Sequence, residues 1–191
     1  MAVNNIQIGG RNLLKNSAMN SSTGWALTWG SSFTTFDGYK CLKTGYDSRQ
    51  TYWGAYSSLG APDPLPAGTT YTASIDVYAT APVSFAFGFE GNWKYASIYE
   101  SEINRWVRKY ITAVSPASSR AIVIYPGHNA TSGNAYFKNY KVEIGNKPTA
   151  WTPAPEDEIA ALVRTGIDIE AGTITLDAAK TVVTGALIVK G

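Results

Sequence analysis

An all-β fold, a sandwich or a barrel, is what this sequence predicts. Three observations carry the expectation. Helical periodicity is nearly absent from residues 1–154, where side chains alternate with a period of two. Clusters of turn-forming residues, PLPAGTT, ATAP, EGNW, SPASS and PGHNATSGN, separate the alternating runs. The runs are short and closely spaced, as they are when two sheets, or one closed sheet, share a core.

Along the chain, NLLKNSAM (12–19) reads as an opening strand, and Trp25 and Trp29 flank a short segment, TGWALTWG. In FTTFDGYKCLKT (33–44) an Asp-Gly pair stands between two alternating runs, the composition of a tight hairpin turn. Residues 50–59, QTYWGAYSSL, offer a further strand. TYTASIDVYA (70–79) puts Tyr71, Ala73, Ile75 and Val77 on one face and Thr72, Ser74, Asp76 and Tyr78 on the other. VSFAFGF (83–89) sets Phe85, Phe87 and Phe89 opposite small residues. RWVRKYITAV (105–114) alternates Trp106, Arg108, Tyr110 and Thr112 with Val107, Lys109, Ile111 and Ala113, and RAIVIYP (120–126) is a short apolar run. The last strand is expected to end at Ile144, with Tyr136, Lys138, Tyr140, Val142 and Ile144 on one side.

After that strand the character changes. GNKPTAWTPAPED (145–157) holds three prolines, which stop sheet pairing, and Trp151, which is expected to pin the exit onto the domain. A short helix follows, with Glu156, Asp157 and Glu158 at its positive end, Ile159, Leu162 and Val163 at helical spacing, and Gly166 as its stop. Two similar β-branched segments, GIDIEAGTITLDA and KTVVTGALIVKG, complete the chain. So short a stretch cannot bury enough surface alone and must lean on the main domain or on copies of itself. The expected organisation is an N-terminal extension (1–10), a sandwich (11–154), and a helix with β-strands forming a trimerisation stalk (155–191).

Composition narrows the function. The net charge is +2 with Lys and Arg scattered, so no nucleic-acid footprint is expected. There is one Cys, Cys41, which admits no intrachain disulfide and reads as a small buried strand residue. No apolar stretch approaches the length of a membrane-spanning helix, and no secretory leader is expected. The single His, His128, lies in a Gly/Asn/Ser loop, and no nucleophile motif accompanies it. Glu90, Glu100 and Glu102 read as solvated turn charges rather than a glycosidase pair. No enzyme is expected. The 6 Trp and 12 Tyr are the distinctive feature, because such rings combine an apolar face with a polar tip.

GRNLLKNSAM, LPAGTTYTASIDVYA, NRWVRKYITAV and AYFKNYKVEIGNKPTAWTPAPED follow one another in a recurrent order. That order, over roughly residues 10–157, resembles the carbohydrate-binding-module-like jelly rolls of bacteriophage and prophage tail and baseplate proteins. The segment TGIDIEAGTITLDAAKTVVTGALIVKG resembles a stalk element of phage tail-tip and fibre proteins. The resemblance implies a galactose-binding-like antiparallel jelly roll in a virion tail, made in a bacterial cytoplasm. It implies host-surface polysaccharide, other tail proteins and further copies of the chain as partners, without membrane insertion. It implies no cofactor, although some relatives carry a structural calcium held partly by an Asp. The matching position here is Asn139, which lacks the charge a hard cation prefers.

A sugar site needs a flat ring and a few planar polar groups to hold hydroxyls. DSRQTYW (47–53) groups Asp47, Arg49, Gln50, Tyr52 and Trp53, and EGNWKY (90–95) groups Glu90, Asn92, Trp93 and Tyr95. Asp76 and Tyr78 stand on the polar face of their strand. The expected carbohydrate-binding residues are Trp93, Trp53, Tyr52, Arg49, Asp76, Tyr78, Glu90 and Asn92. Trp25 and Trp29 are placed in a loop region, and Trp106 and Trp151 are assigned to packing.

Overall fold

The structure is a computed structural model and describes residues 9–28, 30–45, 54–57, 65–89, 95–98, 103–115, 122–126 and 133–157. Among the described residues ten strands form two five-stranded antiparallel sheets. They are β1 (Trp25–Leu27), β2 (Ser31–Phe36), β3 (Tyr39–Gly45), β4 (Ala55–Ser57), β5 (Thr70–Ala79), β6 (Val83–Phe89), β7 (Tyr95–Ile98), β8 (Val107–Val114), β9 (Ile122–Pro126) and β10 (Asn134–Ile144). One sheet has the order β1-β4-β9-β6-β7 and the other β2-β3-β10-β5-β8. The architecture is an antiparallel jelly-roll β-sandwich, and the turn pairs and alternations of the sequence place most of its strands.

The core lies between the sheets. Tyr71, Ala73, Ile75 and Val77 of β5 face Phe85 and Phe87 of β6 and Ile122 and Ile124 of β9 in one buried cluster. Phe137, Tyr140 and Val142 of β10 join it, with Leu42, Leu14, Met19 and Trp25. Tyr140 ties the sheets together: its hydroxyl donates to the carbonyl of Val123 and accepts from the amide of Gly88, at 3.2 and 2.8 Å. Gly88 has φ +124°, and a Cβ there would meet the Tyr71 hydroxyl at 3.0 Å. Only glycine allows this backbone to approach so closely.

Expectations in two regions of the chain are corrected. Residues 12–19 form turns rather than an opening strand. Leu14 and Met19 are still fully buried, but the Leu14 amide is held by the Asn12 side chain and the Met19 amide by the Asn16 carbonyl of a turn. The Asn12 amide donates to Ser17 Oγ and to the carbonyls of Tyr140 and Thr152, and its Oδ1 accepts from the amides of Leu14 and Val142. Trp25, placed by sequence in a loop region, is a core residue of β1 whose Nε1 donates to the carbonyl of Asn16.

The second correction concerns β10. Its register against β5 shifts between Lys138 and Lys141, and Asn139 sits there at φ 54°. This β-bulge inserts a residue and reverses the alternation. Tyr136 and Lys138 therefore point away from the core, whereas Tyr140 and Val142 enter it and Lys141 and Glu143 take over the outer face.

The last strand ends at Ile144, as expected, and the chain then folds back over the outer face of the sheet. Lys141 and Glu143 are sealed beneath it, with side chains 1% and 0% exposed. The Lys141 Nζ donates to Thr149 Oγ1 and to the carbonyl of Ala150, and the Glu143 carboxylate accepts from the Thr149 amide and hydroxyl. Trp151 is half-buried and its Nε1 has no hydrogen-bond partner among the described residues, so the polar ties of this part of the exit come from Thr149. Residues 155–157 are helical. The remainder of the predicted helix and the stalk lie outside the described residues.

Candidate functional site

The outer face of the β2-β3-β10-β5-β8 sheet gathers most of the chemistry. The register aligns Lys138 of β10, Asp76 of β5 and Arg108 of β8 in one cross-strand row. The Arg108 Nη1 donates to Asp76 Oδ1 at 2.7 Å and to the carbonyl of Asn139 at 3.1 Å, while Nη2 donates to Ser74 Oγ at 2.8 Å. The Asn139 amide donates to the other Asp76 oxygen at 2.8 Å. The bulge thus serves the site, since its positive-φ residue turns both its carbonyl and its amide toward the neighbouring strands. Arg108 and Asp76 keep 28% and 20% of their side-chain surface, so this pair still meets solvent.

Beside this row stands a group of aromatic rings. Phe36 stacks on Tyr136 with centroids 3.8 Å apart and meets Tyr78 edge-on at 4.8 Å. Trp106 meets Tyr39 and Tyr78 edge-on at 5.9 and 5.7 Å. The Lys138 ammonium lies 2.8 Å from the Tyr39 ring centroid and 4.2 Å from that of Trp106, the placement of a cation–π contact. Burial pushes the Lys138 ammonium pKa down, opposed by Asp76 and Asp37. Burial likewise pushes the Cys41 thiol up, which keeps it protonated beneath the cluster.

Two rings remain open. Tyr39 is 49% exposed, and Tyr110, which pairs with Ser74 on the same face, is 56% exposed. Trp106, Arg108 and Tyr110 alternate along one side of β8 and its lead-in, so ring, guanidinium and ring follow at steps of about 7 Å. The ends of the face are closed differently. At the Tyr78 end the β2–β3 turn bends over it, with Asp37 Oδ2 accepting from Trp106 Nε1 at 2.8 Å. At the Thr72 end the exit segment crosses, and Thr112 Oγ1 donates to the Asn146 carbonyl at 3.5 Å. About 20 Å of sheet separates Thr72 from Tyr78, at roughly 3.3 Å per residue.

Of the sequence-predicted site residues, Asp76 and Tyr78 come together on this face. Arg49, Tyr52, Trp53, Glu90, Asn92 and Trp93 lie outside the described residues, as do Trp29 and His128. Sequence reasoning missed Trp106, Tyr110, Arg108 and Tyr39. The signal available was the alternation of residues 105–114, which already set Trp106 beside Arg108 and Tyr110 on a single face. The surroundings of Asn139 do not fit a calcium ion, because its amide hydrogens and the Arg108 guanidinium occupy the directions that a cation would need filled with oxygen. Among the described residues no cluster of three His, Cys, Asp or Glu side chains is suited to a metal, and no helix is long and apolar enough to cross a membrane.

Comparison with known proteins is informative at the level of fold. No protein-family model matches the chain, and no curated protein matches it in sequence. The CBM22-1 xylan-binding domain of Paenibacillus barcinonensis Xyn10C is similar in structure, with a TM-score of 0.51 and 16% identity over 73% of this chain and 97% of that one. The CBM22-1-CBM22-2 tandem domain of the same protein gives 0.50 and 17% over 78% and 47%. The tripod from the baseplate of bacteriophage Tuc2009 gives 0.49 and 20% over 80% and 61%. At these identities the likeness to the two Xyn10C structures speaks for shared architecture: the chain carries the jelly-roll β-sandwich seen in carbohydrate-binding modules.

Proposed function

We propose that this chain is a non-catalytic saccharide-binding component of a phage or prophage tail, with the outer face of the β2-β3-β10-β5-β8 sheet as its binding surface. One observation carries the reading: open and half-open rings, Tyr39, Trp106 and Tyr110, flank a guanidinium–carboxylate pair held rigid by Ser74 and Asn139. Rings bury the apolar CH faces of a sugar, and a fixed ion pair offers donors and acceptors to its hydroxyls. The buried carboxylate on this face, Glu143, is sealed and fully engaged by Thr149 and Lys141, so it is withheld from any bound glycan. The expected ligand is host cell-surface polysaccharide. Sites presented together by residues 155–191 as a trimer would gain avidity without new contacts.

Titration calorimetry of the full chain with xylohexaose and with bacterial cell-wall polysaccharide tests the site. Trp106→Ala or Tyr110→Ala should weaken binding about tenfold, as the loss of one stacking ring of about 1.4 kcal/mol implies. Tyr56→Ala, at a 38% exposed position on the opposite sheet, should leave binding unchanged. Equal effects at all three positions, or no binding by the unmodified chain, count against the reading. Light scattering of the full chain tests the trimer separately.

A second reading, an assembly spacer without ligand, is favoured by the self-contact of Phe36, Tyr78 and Tyr136 and by the lysine between Tyr39 and Trp106. Unchanged host adsorption by the Trp106→Ala and Tyr110→Ala variants would support it.

A further inference from the structure

The β2–β3 hairpin and Trp106 belong to opposite edges of one sheet, with β10 and β5 between them. They nevertheless meet. Asp37, at the hairpin tip, accepts from the Trp106 indole at 2.8 Å. Phe36 and Tyr39, on either side of the turn, touch the Trp106 ring edge-on at 6.4 and 5.9 Å. The tip therefore arches across the face and closes on Trp106.

The turn itself does not require an aspartate. Asp37 and Gly38 have φ values of 50° and 78°, the pair of positive angles that marks a tight primed turn. Asn-Gly or Gly-Gly satisfies the same backbone. What the aspartate side chain adds over glycine is an oxygen acceptor aimed at an indole hydrogen, which an asparagine oxygen also supplies. A ring with such a bond at its edge cannot rotate freely, and a ring held in advance loses less entropy when a ligand stacks on it.

We propose that Asp37 is a positioning residue for saccharide recognition: it latches the hairpin tip to Trp106 and fixes the ring face that a glycan meets. The inference rests on the saccharide reading above and identifies what orients its central ring. Asp37 touches no ligand itself. It acts through Trp106, and Lys138, packed between Trp106 and Tyr39, holds the other side of the same ring.

Two turn-preserving substitutions separate positioning from folding. Asp37→Gly keeps the positive φ and removes the acceptor, whereas Asp37→Asn keeps both the turn and a neutral acceptor. Indole N–H resonances of the full chain, with six tryptophans assigned through Trp106→Phe, report the bond without any ligand. The expected result is that the Trp106 indole proton moves upfield and exchanges faster with water in Asp37→Gly and stays near its original position in Asp37→Asn. Affinity for xylohexaose should fall about 2- to 10-fold in Asp37→Gly and be largely restored in Asp37→Asn. An unmoved Trp106 indole in Asp37→Gly overturns the latch, and so does unaltered affinity in that variant. Absence of binding by the unmodified chain to both xylohexaose and bacterial cell-wall polysaccharide counts against the saccharide reading instead, and the indole result then decides the latch alone.

Discussion

Two ion pairs on the same face of the same sheet are put to opposite uses. Arg108 and Asp76 meet at 2.7 Å with side chains 28% and 20% exposed, while Lys141 and Glu143 lie 3.7 Å apart with 1% and 0% exposed. The sealed pair stands on β10 just after the bulge, whereas the half-open pair stands on β5 and β8 and is bonded to the bulge residue Asn139. The difference lies in what covers them. The exit segment folds over Lys141 and Glu143 and supplies Thr149 and the Ala150 carbonyl as partners. Nothing comparable among the described residues covers Asp76, whose partners come from the sheet itself. A charge pair under a lid holds the lid; a charge pair left half open can answer a ligand.

The strongest way to break this comparison is to remove one member of the sealed pair. Lys141→Met leaves Glu143 buried and without its cation, which costs about 3–5 kcal/mol when a buried pair loses one partner. Burial pushes the Lys141 pKa down, and the Glu143 charge opposes that shift. Chemical denaturation of the full chain should show this loss with little change in the affinity of the remaining folded protein for glycans. A small loss, under about 1 kcal/mol, would mean that the lid is held by something other than these charges.

The half-open pair should behave in the opposite sense. Asp76→Asn keeps an acceptor for Asn139 and leaves Arg108 bonded to Ser74 and to the Asn139 carbonyl. Solvent screens what remains, so the expected loss of stability is only about 1 kcal/mol. Glycan affinity should fall more than stability does, because the variant replaces a charged acceptor by a neutral amide and leaves the guanidinium without its charged partner. The two variants together form a crossed test: one loses fold and keeps binding, the other keeps fold and loses binding. If Asp76→Asn proves as destabilising as Lys141→Met, the distinction between the pairs is void.

How much of this was legible depended on whether the deciding contact was local. The alternation of residues 70–79 and 105–114 gave β5 and β8 with their faces correct, because a period of two needs only neighbours to be read. The Asp37–Gly38 turn was legible for the same reason. β10 was not, since one positive-φ residue reversed its faces after Lys138. A trace existed in the shift of its polar positions from Tyr136 and Lys138 to Lys141 and Glu143, with an asparagine, a residue that tolerates such φ, between them. Residues 12–19 were misread as a strand because a buried Asn12 side chain replaced ladder hydrogen bonds. Trp106, assigned to packing from sequence, does pack on Phe36, Tyr39 and Tyr78, but its bond to Asp37, 69 residues away, was not legible because it forms only through the curl of a hairpin.

The smallest effect concerns a third ion pair, at the surface, where Arg11 and Glu156 join the leading segment to the exit. Their side chains are 58% and 37% exposed, so water and salt do most of what each would do for the other. The Glu156 carboxyl pKa is lowered first by a backbone hydrogen bond at its own position and only afterwards by the Arg11 charge. The junction also has independent ties: the Asn16 amide donates to Asp157 Oδ1 at 2.9 Å, and Asn12 holds the Thr152 carbonyl. Arg11→Ala should therefore change stability by no more than about 0.5 kcal/mol, and added salt should shrink even that. A loss near that of Lys141→Met in the same denaturation series would show that burial is the wrong variable for ranking the three pairs, and that the joining of residues 11–16 to residues 152–157 governs this junction instead.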